Sequence, residues 1–357
     1  MGHQEYSSEF KNQVVQFIIG RSSALFLLAA HLRRHNSNSE SPVKHVHDGG
    51  MLQRNNNKED NQCNCRFRLF KSHSLELDRI LNKIKFRNMY NTIHIDEKWF
   101  YMTKGAQRFY LAPGEEEPHR TLCRPLFGVN GEVLFDGKIG IFPFTKQVHA
   151  KRSSKNRMAG TLETKPIESI TNDVIRDCLI NKILPAIKAK WPDGATKVLK
   201  IQQDNARLHI KDNDPAFKEA AQQSGFSISL VQQPPNSPDT NVNDLGWFRA
   251  IQSLQTQTAC KNVDDLVNAV VQSFNELQPQ TLDNVFLSLQ GCFMEIMKVQ
   301  GHNTYKLPHM GKAHLRRTNQ LPKDLEVPVE LAMQTIAYLR DQGSNEGLEL
   351  IAQSLGL

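Results

Sequence analysis

The stretch that most constrains the fold is 92–100, which reads TIHIDEKWF. Apolar Ile93 and Ile95 alternate with polar residues, and a two-residue period is typical of a half-buried β-strand. The strand ends on two neighbouring acids, Asp96 and Glu97. Because a strand-terminal acid more often only caps a turn, its meaning depends on whether other acids in the chain converge on it.

Strand and helix patterns alternate in the middle of the chain. Residues 197–203 (KVLKIQQ) predict a buried strand that runs into Asp204, and residues 227–232 predict another strand. After the strand at 92–97 and before the strand at 197–203, residues 172–190 carry apolar side chains four apart, which predicts a helix with a kink at Pro185. This alternation indicates α/β layering.

Several further elements complete the prediction. Residues 107–111 are expected to form a strand, and 133–135 with 138–142 to form a hairpin around Asp136 and Gly137. Further helices are predicted at 214–223, from near Asp244, at 263–277 and 281–298 with caps at Asn262 and Thr281, and as a tail at 328–355.

The positive charge is concentrated near the N-terminus. Residues 1–91 hold 14 Lys and Arg against 8 Asp and Glu, while the whole chain has a formal charge of +7. A basic leading segment suits a polyanion partner, although a solvated basic face explains the same count. Two short helices are expected within 9–34, followed by a polar linker at 36–62 and a basic lead-in at 63–91.

Membrane and disulfide patterns are weak. The most apolar run, 14–30, is interrupted by Arg21, Ser22 and Ser23, so no membrane partner is predicted. The six cysteines show no paired spacing, which favours free thiols over a disulfide framework.

Three aspartates are the candidate catalytic and metal-binding residues. Asp96 and Asp204 follow apolar strands, and sites form at the carboxyl edge of an open α/β sheet. Asp244 opens a helix after the next strand, where its first turn can reach the same edge. Asp239 is a rival for the third position, but its place in the turn at 236–239 suits holding that turn.

Three converging carboxylates repel one another unless a positive charge lies among them. Mg²⁺ or Mn²⁺ satisfies this requirement, because hard cations prefer oxygen ligands. Two such ions, roughly 4 Å apart, activate the attacking oxygen and stabilise the leaving oxygen of a phosphodiester. The predicted cofactor is therefore a pair of divalent ions.

Five segments closely resemble plant mariner-like transposases, and the similarity runs over roughly 86–325. In that family three aspartates bind the catalytic metals, with 39 residues between the second and the third, and the same number separates Asp204 from Asp244. The family pattern therefore falls on Asp96, Asp204 and Asp244. The segments are IHIDEKWFYM (93–102), KRSSKNRMAGTLETKP (151–166), IQQDNARLH (201–209), QPPNSPDTNVNDLGWFRAIQSLQ (233–255) and MEIMKVQGHNTYKLPHM (294–310).

The resemblance implies a fold, an activity and partners. The expected fold is an α/β ribonuclease-H-like mixed sheet flanked by helices, with a degenerate helical N-terminal region and a helical C-terminal tail. Its expected domains are a remnant helix-turn-helix region and linker (1–62), a basic lead-in (63–91), the catalytic domain (92–258) and a helical region (259–357). The expected activity is cut-and-paste DNA transposition at terminal inverted repeats in the nucleus, with a homodimer left open.

Candidate DNA contacts lie in two basic segments. Lys151, Arg152, Lys155 and Arg157 lie close together in one polar loop, which suits a phosphate backbone, an import signal or a solvated surface. Arg33 and Arg34 belong to 32–38 (LRRHNSN), which resembles the end of a second helix-turn-helix module.

Two departures from the family leave the activity open. The N-terminal modules are represented only by fragments, and a recognition helix needs a partner helix to hold it in the major groove. A stretch with an apolar strand is also shortened after His119, so the sheet lacks a strand unless 133–141 replaces it. The alternatives are an active transposase, a catalytically inactive transposase-derived DNA-binding protein, and a cellular nuclease of the same fold.

Overall fold

The computed structural model describes residues 66, 75–78, 83–86, 88–98, 100, 119–155 and 157–341. The predicted elements at 9–34 and 107–111, the linker at 36–62 and the candidates Arg33 and Arg34 lie outside these residues. The predicted tail is described only as far as 341. In the described part of the chain, no helix is both long enough and apolar enough to cross a bilayer.

The strands are short, and most follow the predicted patterns. In chain order they are β1 (Leu75–Asp78), β2 (Lys83–Phe86), β3 (Thr92–Glu97), β4 (His119–Cys123), β5 (Leu126–Phe127), β6 (Val133–Phe135), β7 (Lys138–Phe142), β8 (Thr145–His149), β9 (Leu162–Pro166), β10 (Val198–Gln203), β11 (Ser227–Gln232) and β12 (Glu326–Val327).

The helices fall largely where apolar periodicity predicts them. In chain order they are α1 (Asn172–Cys178), α2 (Leu184–Lys190), α3 (Pro215–Ala221), α4 (Phe248–Gln255), α5 (Val263–Glu276), α6 (Pro279–Lys298), α7 (Lys312–Arg317) and α8 (Val329–Asp341).

By its internal contacts the chain divides into two compact units. Among the described residues, the first unit holds Asn91–Val231 and Gly246–Thr281. The second unit holds residues 66–90, Gln232–Leu245 and 282–341. The predicted domain boundaries stay predictions.

A five-stranded mixed sheet organises the first unit. Its order across the sheet is β11-β10-β3-β4-β7, so in chain order the strands read fifth, fourth, first, second, third. Strand β4 pairs antiparallel with both β3 and β7, and β10 runs parallel to β3. This is the ribonuclease-H-like order, so the predicted fold class is confirmed.

Helices α1 and α2 form one continuous apolar face against the sheet. Thr171 caps the start of α1, and the predicted inward residues are all buried, namely Ile175, Leu179, Ile183 and Ile187. They join Ile93 and Ile95 of β3 and Leu199 and Ile201 of β10 in one hydrophobic core. A π-helical segment, Leu179–Ile183, separates α1 from α2, and the Leu184 N–H that follows it bonds the Leu179 carbonyl, whereas the kink at Pro185 stays a prediction.

The central strand β3 is buried on both faces, whereas its alternating pattern predicts a half-buried strand. All six residues from Thr92 to Glu97 are buried. The polar face is covered within the same unit by the guanidinium of Arg120 and the rings of Phe100 and Phe248. A strand with polar side chains buried on one face has to compensate every charge there.

The hairpin predicted at 133–142 is wrong. β6 pairs with β5, while β7 pairs with β4 and forms the edge of the five-stranded sheet. The turn chemistry is as expected, because Gly137 has a φ of 76° and the Asp136 carboxylate accepts the Lys138 N–H. The turn redirects the chain instead of folding it back, because Ile139 enters the core while Val133 and Leu134 stay exposed. Residues 138–142 thereby fill the edge position that the sequence leaves in doubt.

The helices after the sheet match the sequence with one correction. Asn262 caps α5 as predicted, by accepting the Asp265 N–H. Thr281 does not cap α6, which begins two residues earlier at Pro279. Proline is favoured in the first turn of a helix because its missing N–H has no partner there.

The second unit contains a small antiparallel sheet and helices. Its strand order is β1-β2-β12, and Phe86 of β2 stacks near Phe293 of α6 with ring centroids 6.2 Å apart. Residues on the inner face of α6 are buried, including Phe286, Leu289 and Phe293.

Candidate metal centre

Two of the three predicted acids lie at the same edge of the five-stranded sheet. In the parallel pair of β3 and β10, Ile201 lies opposite Ile93 and Gln202 opposite His94. Asp96 and Asp204 each lie two residues beyond this last pair, at the same end of the two strands. Asp96 is the penultimate residue of β3, and Asp204 follows directly after β10.

Asp96 is a buried carboxylate that faces a buried cation. Only 2% of Asp96 is exposed, and its Oδ1 accepts the Glu97 N–H at 2.8 Å. Arg120 lies directly opposite it on β4. The guanidinium of Arg120 lies over the rings of Phe100 and Phe248, with its carbon 4.4 and 4.8 Å from their centroids.

The protonation of Arg120 reflects this burial. Desolvation lowers its pKa to about 9, and the charge of Asp96 works in the opposite direction. Arg120 therefore stays cationic at neutral pH and offsets the charge of Asp96.

Glu97 points to the opposite face of β3 and forms a second cluster. Among the described residues, Glu97, Asp204 and His209 form a group whose potential ligand atoms all lie within 4.8 Å of one another. The imidazole of His209 lies between the two carboxylates. Its Nε2 is 2.8 Å from Glu97 Oε1, and its Nδ1 is 2.7 Å from Asp204 Oδ1.

The loop after β10 holds Asp204 and His209 in place. Asp204 Oδ1 also accepts the Ala206 N–H at 2.9 Å, which closes a tight turn. Two side chains from neighbouring elements then fix the far end of the loop. The Asn172 amide donates to the Leu208 carbonyl at 2.9 Å, and the Gln203 amide to the Ile210 carbonyl at 2.6 Å.

The carboxylates decide the protonation of His209. Burial by itself lowers the pKa of the imidazole, but the charge of Glu97 and the hydrogen bonds to Asp204 and Glu97 outweigh it. The pKa of His209 therefore lies well above its ordinary value. A doubly protonated ring donates to both carboxylates at once.

The donor set suits a divalent cation. Glu97 and Asp204 offer carboxylate oxygens close together, which is the ligand type that Mg²⁺ and Mn²⁺ prefer, whereas the carboxylate of Asp96 lies on the other face of β3 beside Arg120. Asp204 Oδ1 accepts the Ala206 N–H and lies 2.7 Å from His209 Nδ1, and no hydrogen bond or ion pair of the described residues involves Oδ2. The Asp204 side chain is 20% exposed, so a hydrated ion can reach it.

The other acids of the prediction lie in the second unit. Asp244 belongs to the irregular helical turn Asn243–Trp247 that precedes α4, and its convergence with the other two acids stays a prediction. Asp239 does more than hold its own turn, because its carboxylate binds the guanidinium of Arg66 and accepts the hydroxyl of Tyr305. Arg66 is 1% exposed, so Asp239 is committed to a buried ion pair.

The predicted basic loop joins β8 and β9. Lys151, Arg152 and Lys155 are exposed, whereas Arg157 forms an ion pair with Glu163. Three of the four candidates therefore present free positive charge to solvent at the tip of this hairpin.

Glu97 and His209 are not among the residues that the sequence predicts for the site. Glu97 adjoins Asp96 in the sequence, but strand alternation places the two side chains on opposite faces and does not show which face carries the site. His209 was visible only as the end of the segment DNARLH. Its meeting with Glu97 spans 112 positions of sequence, which no local pattern reveals.

Comparisons with known proteins find similarity to solved structures but not to family models or curated sequences. No protein-family model and no curated protein matches the chain. The fold is similar to solved complexes of the Mos1 mariner transposase, at 14% identity. A pre-cleavage transpososome and a paired-end complex with Mn give TM-scores of 0.42 and 0.41, each covering 78% of this chain and 72% of that chain. A paired-end complex with the left transposon end gives 0.40, covering 77% and 70%.

Proposed function

We propose that the chain is a DNA transposase of the mariner-like class, which cleaves and transfers strands at terminal inverted repeats in the nucleus. The observation that supports the proposal is the cluster of Glu97, Asp204 and His209 at one edge of a ribonuclease-H-ordered sheet, where their potential ligand atoms all lie within 4.8 Å of one another. The motif order from IHIDEKWFYM to MEIMKVQGHNTYKLPHM supports the same class.

Asp204 would hold a divalent ion, Mg²⁺ or Mn²⁺, at this edge of the sheet, and the roles of Asp96 and Asp244 as further ligands stay predictions from the sequence. When bound, such ions supply an activated oxygen nucleophile and stabilise the leaving oxygen. The chain itself supplies the rigid edge. Arg120 balances the charge of Asp96 from one face, and the loop after β10 fixes Asp204.

The exposed cations of the β8–β9 hairpin are the proposed phosphate contacts. Lys151, Arg152 and Lys155 lie on one loop without ion-pair partners among the described residues. Contacts to phosphates position a nucleic acid without reading its sequence. This hairpin therefore contributes affinity, and recognition of a particular repeat has to come from elsewhere in the chain.

The experiment is a nicking assay on a labelled inverted-repeat end with purified full-length chain and Mn²⁺. Nicking is expected for the wild type and lost in Asp204→Ala. The matched control is Asp193→Ala, an exposed acid of the same unit, which retains wild-type nicking. Absence of nicking by the wild type, or nicking that survives Asp204→Ala, overturns the proposal.

A second candidate is a DNA-binding protein of the same ancestry that no longer cuts. His209 favours it, because the imidazole already compensates the charges of Glu97 and Asp204 without a metal ion. This candidate predicts salt-sensitive, sequence-indifferent DNA binding. Fluorescence anisotropy on repeat and scrambled duplexes tests it, and a clear preference for one repeat sequence contradicts it.

The hairpin provides a quantitative check on the binding in either case. Each phosphate contact adds about 0.9 to the magnitude of the slope of log K against log salt concentration. Replacing Lys151, Arg152 and Lys155 together with alanine should lower that magnitude by about 2–3. An unchanged slope excludes the hairpin as a DNA contact.

A further inference from the structure

We propose that His209 and Glu97 are positioning residues that fix the Asp204 carboxylate for a divalent ion. The inference rests on the proposed function, because it assumes that Asp204 is a metal ligand. It extends that function to two residues that lie outside the three-aspartate pattern.

The first support is the way the two oxygens of Asp204 are used. Oδ1 accepts the Ala206 N–H at 2.9 Å and lies 2.7 Å from His209 Nδ1, which is also 3.1 Å from the Asp204 carbonyl oxygen. Two donors on one oxygen fix the orientation of the carboxylate plane. Oδ2 has no contact among the described residues, and it is therefore the oxygen left to a ligand.

The second support is the anchoring of the imidazole itself. The His209 side chain is 5% exposed, and its Nε2 bonds a Glu97 side chain that is 1% exposed. Glu97 lies on the central strand β3, which is buried throughout. The imidazole of His209 thus links the Asp204 carboxylate to the buried central strand of the sheet.

The ring geometry argues against His209 as a direct ligand. A metal-binding histidine gives one ring nitrogen to the ion and donates the other to a carboxylate or carbonyl. Here both nitrogens already contact carboxylate oxygens, at 2.7 and 2.8 Å. The imidazole therefore holds the inner oxygen of Asp204, and Oδ2 would be the oxygen offered to a divalent ion.

The size of the effect follows from this placement. Loss of a hydrogen-bonded partner behind a metal ligand typically costs about 10–100-fold in metal affinity. His209→Ala removes one of the two donors on Asp204 Oδ1 and leaves the ligand oxygen in place. The metal site should survive with weaker affinity.

The experiment measures Mn²⁺ binding to full-length protein by electron paramagnetic resonance of the free ion. Asp204→Ala should lose one class of binding site. His209→Ala should keep the number of sites and raise the dissociation constant of that class about 10–100-fold. Its nicking rate should recover when Mn²⁺ is raised in proportion. The control His149→Ala, an exposed histidine whose ring contacts only the Gly160 carbonyl among the described residues, should bind as the wild type does.

A second variant guards against loss of folding. Glu97→Gln keeps the size of the side chain and removes its charge, so it should weaken Mn²⁺ binding in the same direction with an unchanged circular dichroism spectrum. A purely structural role predicts a lower melting temperature with wild-type Mn²⁺ affinity.

The outcomes separate this inference from the proposed function. If Asp204→Ala loses the site while folded His209→Ala and Glu97→Gln bind Mn²⁺ as the wild type does, the positioning role is overturned and the metal site stands. If Asp204→Ala binds Mn²⁺ as the wild type does, both are overturned.

Discussion

The substitution Asp239→Asn tests whether Asp239 has a structural role in the second unit, in contrast to the catalytic role predicted for Asp244. The carboxylate of Asp239 holds the guanidinium of Arg66, which is 1% exposed, and accepts the hydroxyl of Tyr305. Asparagine keeps one acceptor oxygen but no charge, so the Arg66 cation remains buried without a counter-ion. Breaking a buried pair in this way costs about 3–5 kcal/mol. At about 2–4 °C per kcal/mol for a domain of this size, the melting temperature should fall by about 6–20 °C.

The assay is thermal and urea unfolding followed by circular dichroism, with an exposed pair of the same unit as control. Lys83 and Glu326 form an ion pair at 2.8 Å with half-exposed side chains. Glu326→Gln should therefore cost about 0–1 kcal/mol. Combining Arg66→Met with Asp239→Asn should recover most of the loss, because no buried charge is then left unpaired. A cost for Asp239→Asn as small as that of Glu326→Gln would refute the reasoning.

Three further predictions follow from individual contacts. Lys138→Met should cost about 2–4 kcal/mol in a urea titration, because the buried ammonium bonds the Asn275 and Leu277 carbonyls at the end of α5 at 2.8 and 3.1 Å. Burial raises the pKa of Asp214, but the Phe217 N–H and Arg176 outweigh it, so the net pKa is lowered. Its stabilising contribution is therefore present above the unfolded pKa of about 3.9 and is lost as the pH falls through the folded pKa. The melting-temperature deficit of Asp214→Asn should accordingly shrink from pH 7 to about pH 3. Burial raises the pKa of Cys178 to about 12, so iodoacetamide at about pH 8 should label the partly exposed Cys260 before Cys178 by mass spectrometry, and faster labelling of Cys178 would contradict this.

The parts of the fold that the sequence predicts are those with local causes. β11 begins and ends where its apolar pattern does, and α5 begins after its predicted cap Asn262. The helical pattern of 172–190 is also found where its apolar spacing predicts it, with a π-helical segment, Leu179–Ile183, just before Pro185.

The parts that the sequence mispredicts depend on contacts between distant segments. Residues 133–142 carry a good hairpin turn at Gly137, yet β7 pairs with β4 because Ile139 is buried in the main core. The residues of a turn determine the direction of the chain after it, whereas burial of the following strand determines with which strand it pairs. Non-local pairing of this kind cannot be read from one segment.

The candidate site shows the same division between local and distant causes. The positions of Asp96 and Asp204 at the carboxyl ends of two neighbouring parallel strands are predictable, because each adjoins an apolar strand, but the face that each side chain takes is not. The cations that accompany them are not predictable, since Arg120 comes from β4 and His209 from a loop that closes through side chains of other elements.

The two faces of β3 carry separately balanced charges, which changes what a metal ion has to do at this edge. The sequence argument places a divalent ion among the acids because bare carboxylates repel. In the structure, Arg120 offsets Asp96 on one face, and His209 offsets Glu97 and Asp204 on the other. The repulsion is thus relieved by the chain's own cations, so an ion gains less from charge neutralisation and more from the ordered, outward oxygen of Asp204. Metal affinity at this edge should therefore depend on the hydrogen bonds behind the ligand as much as on the number of acids around it.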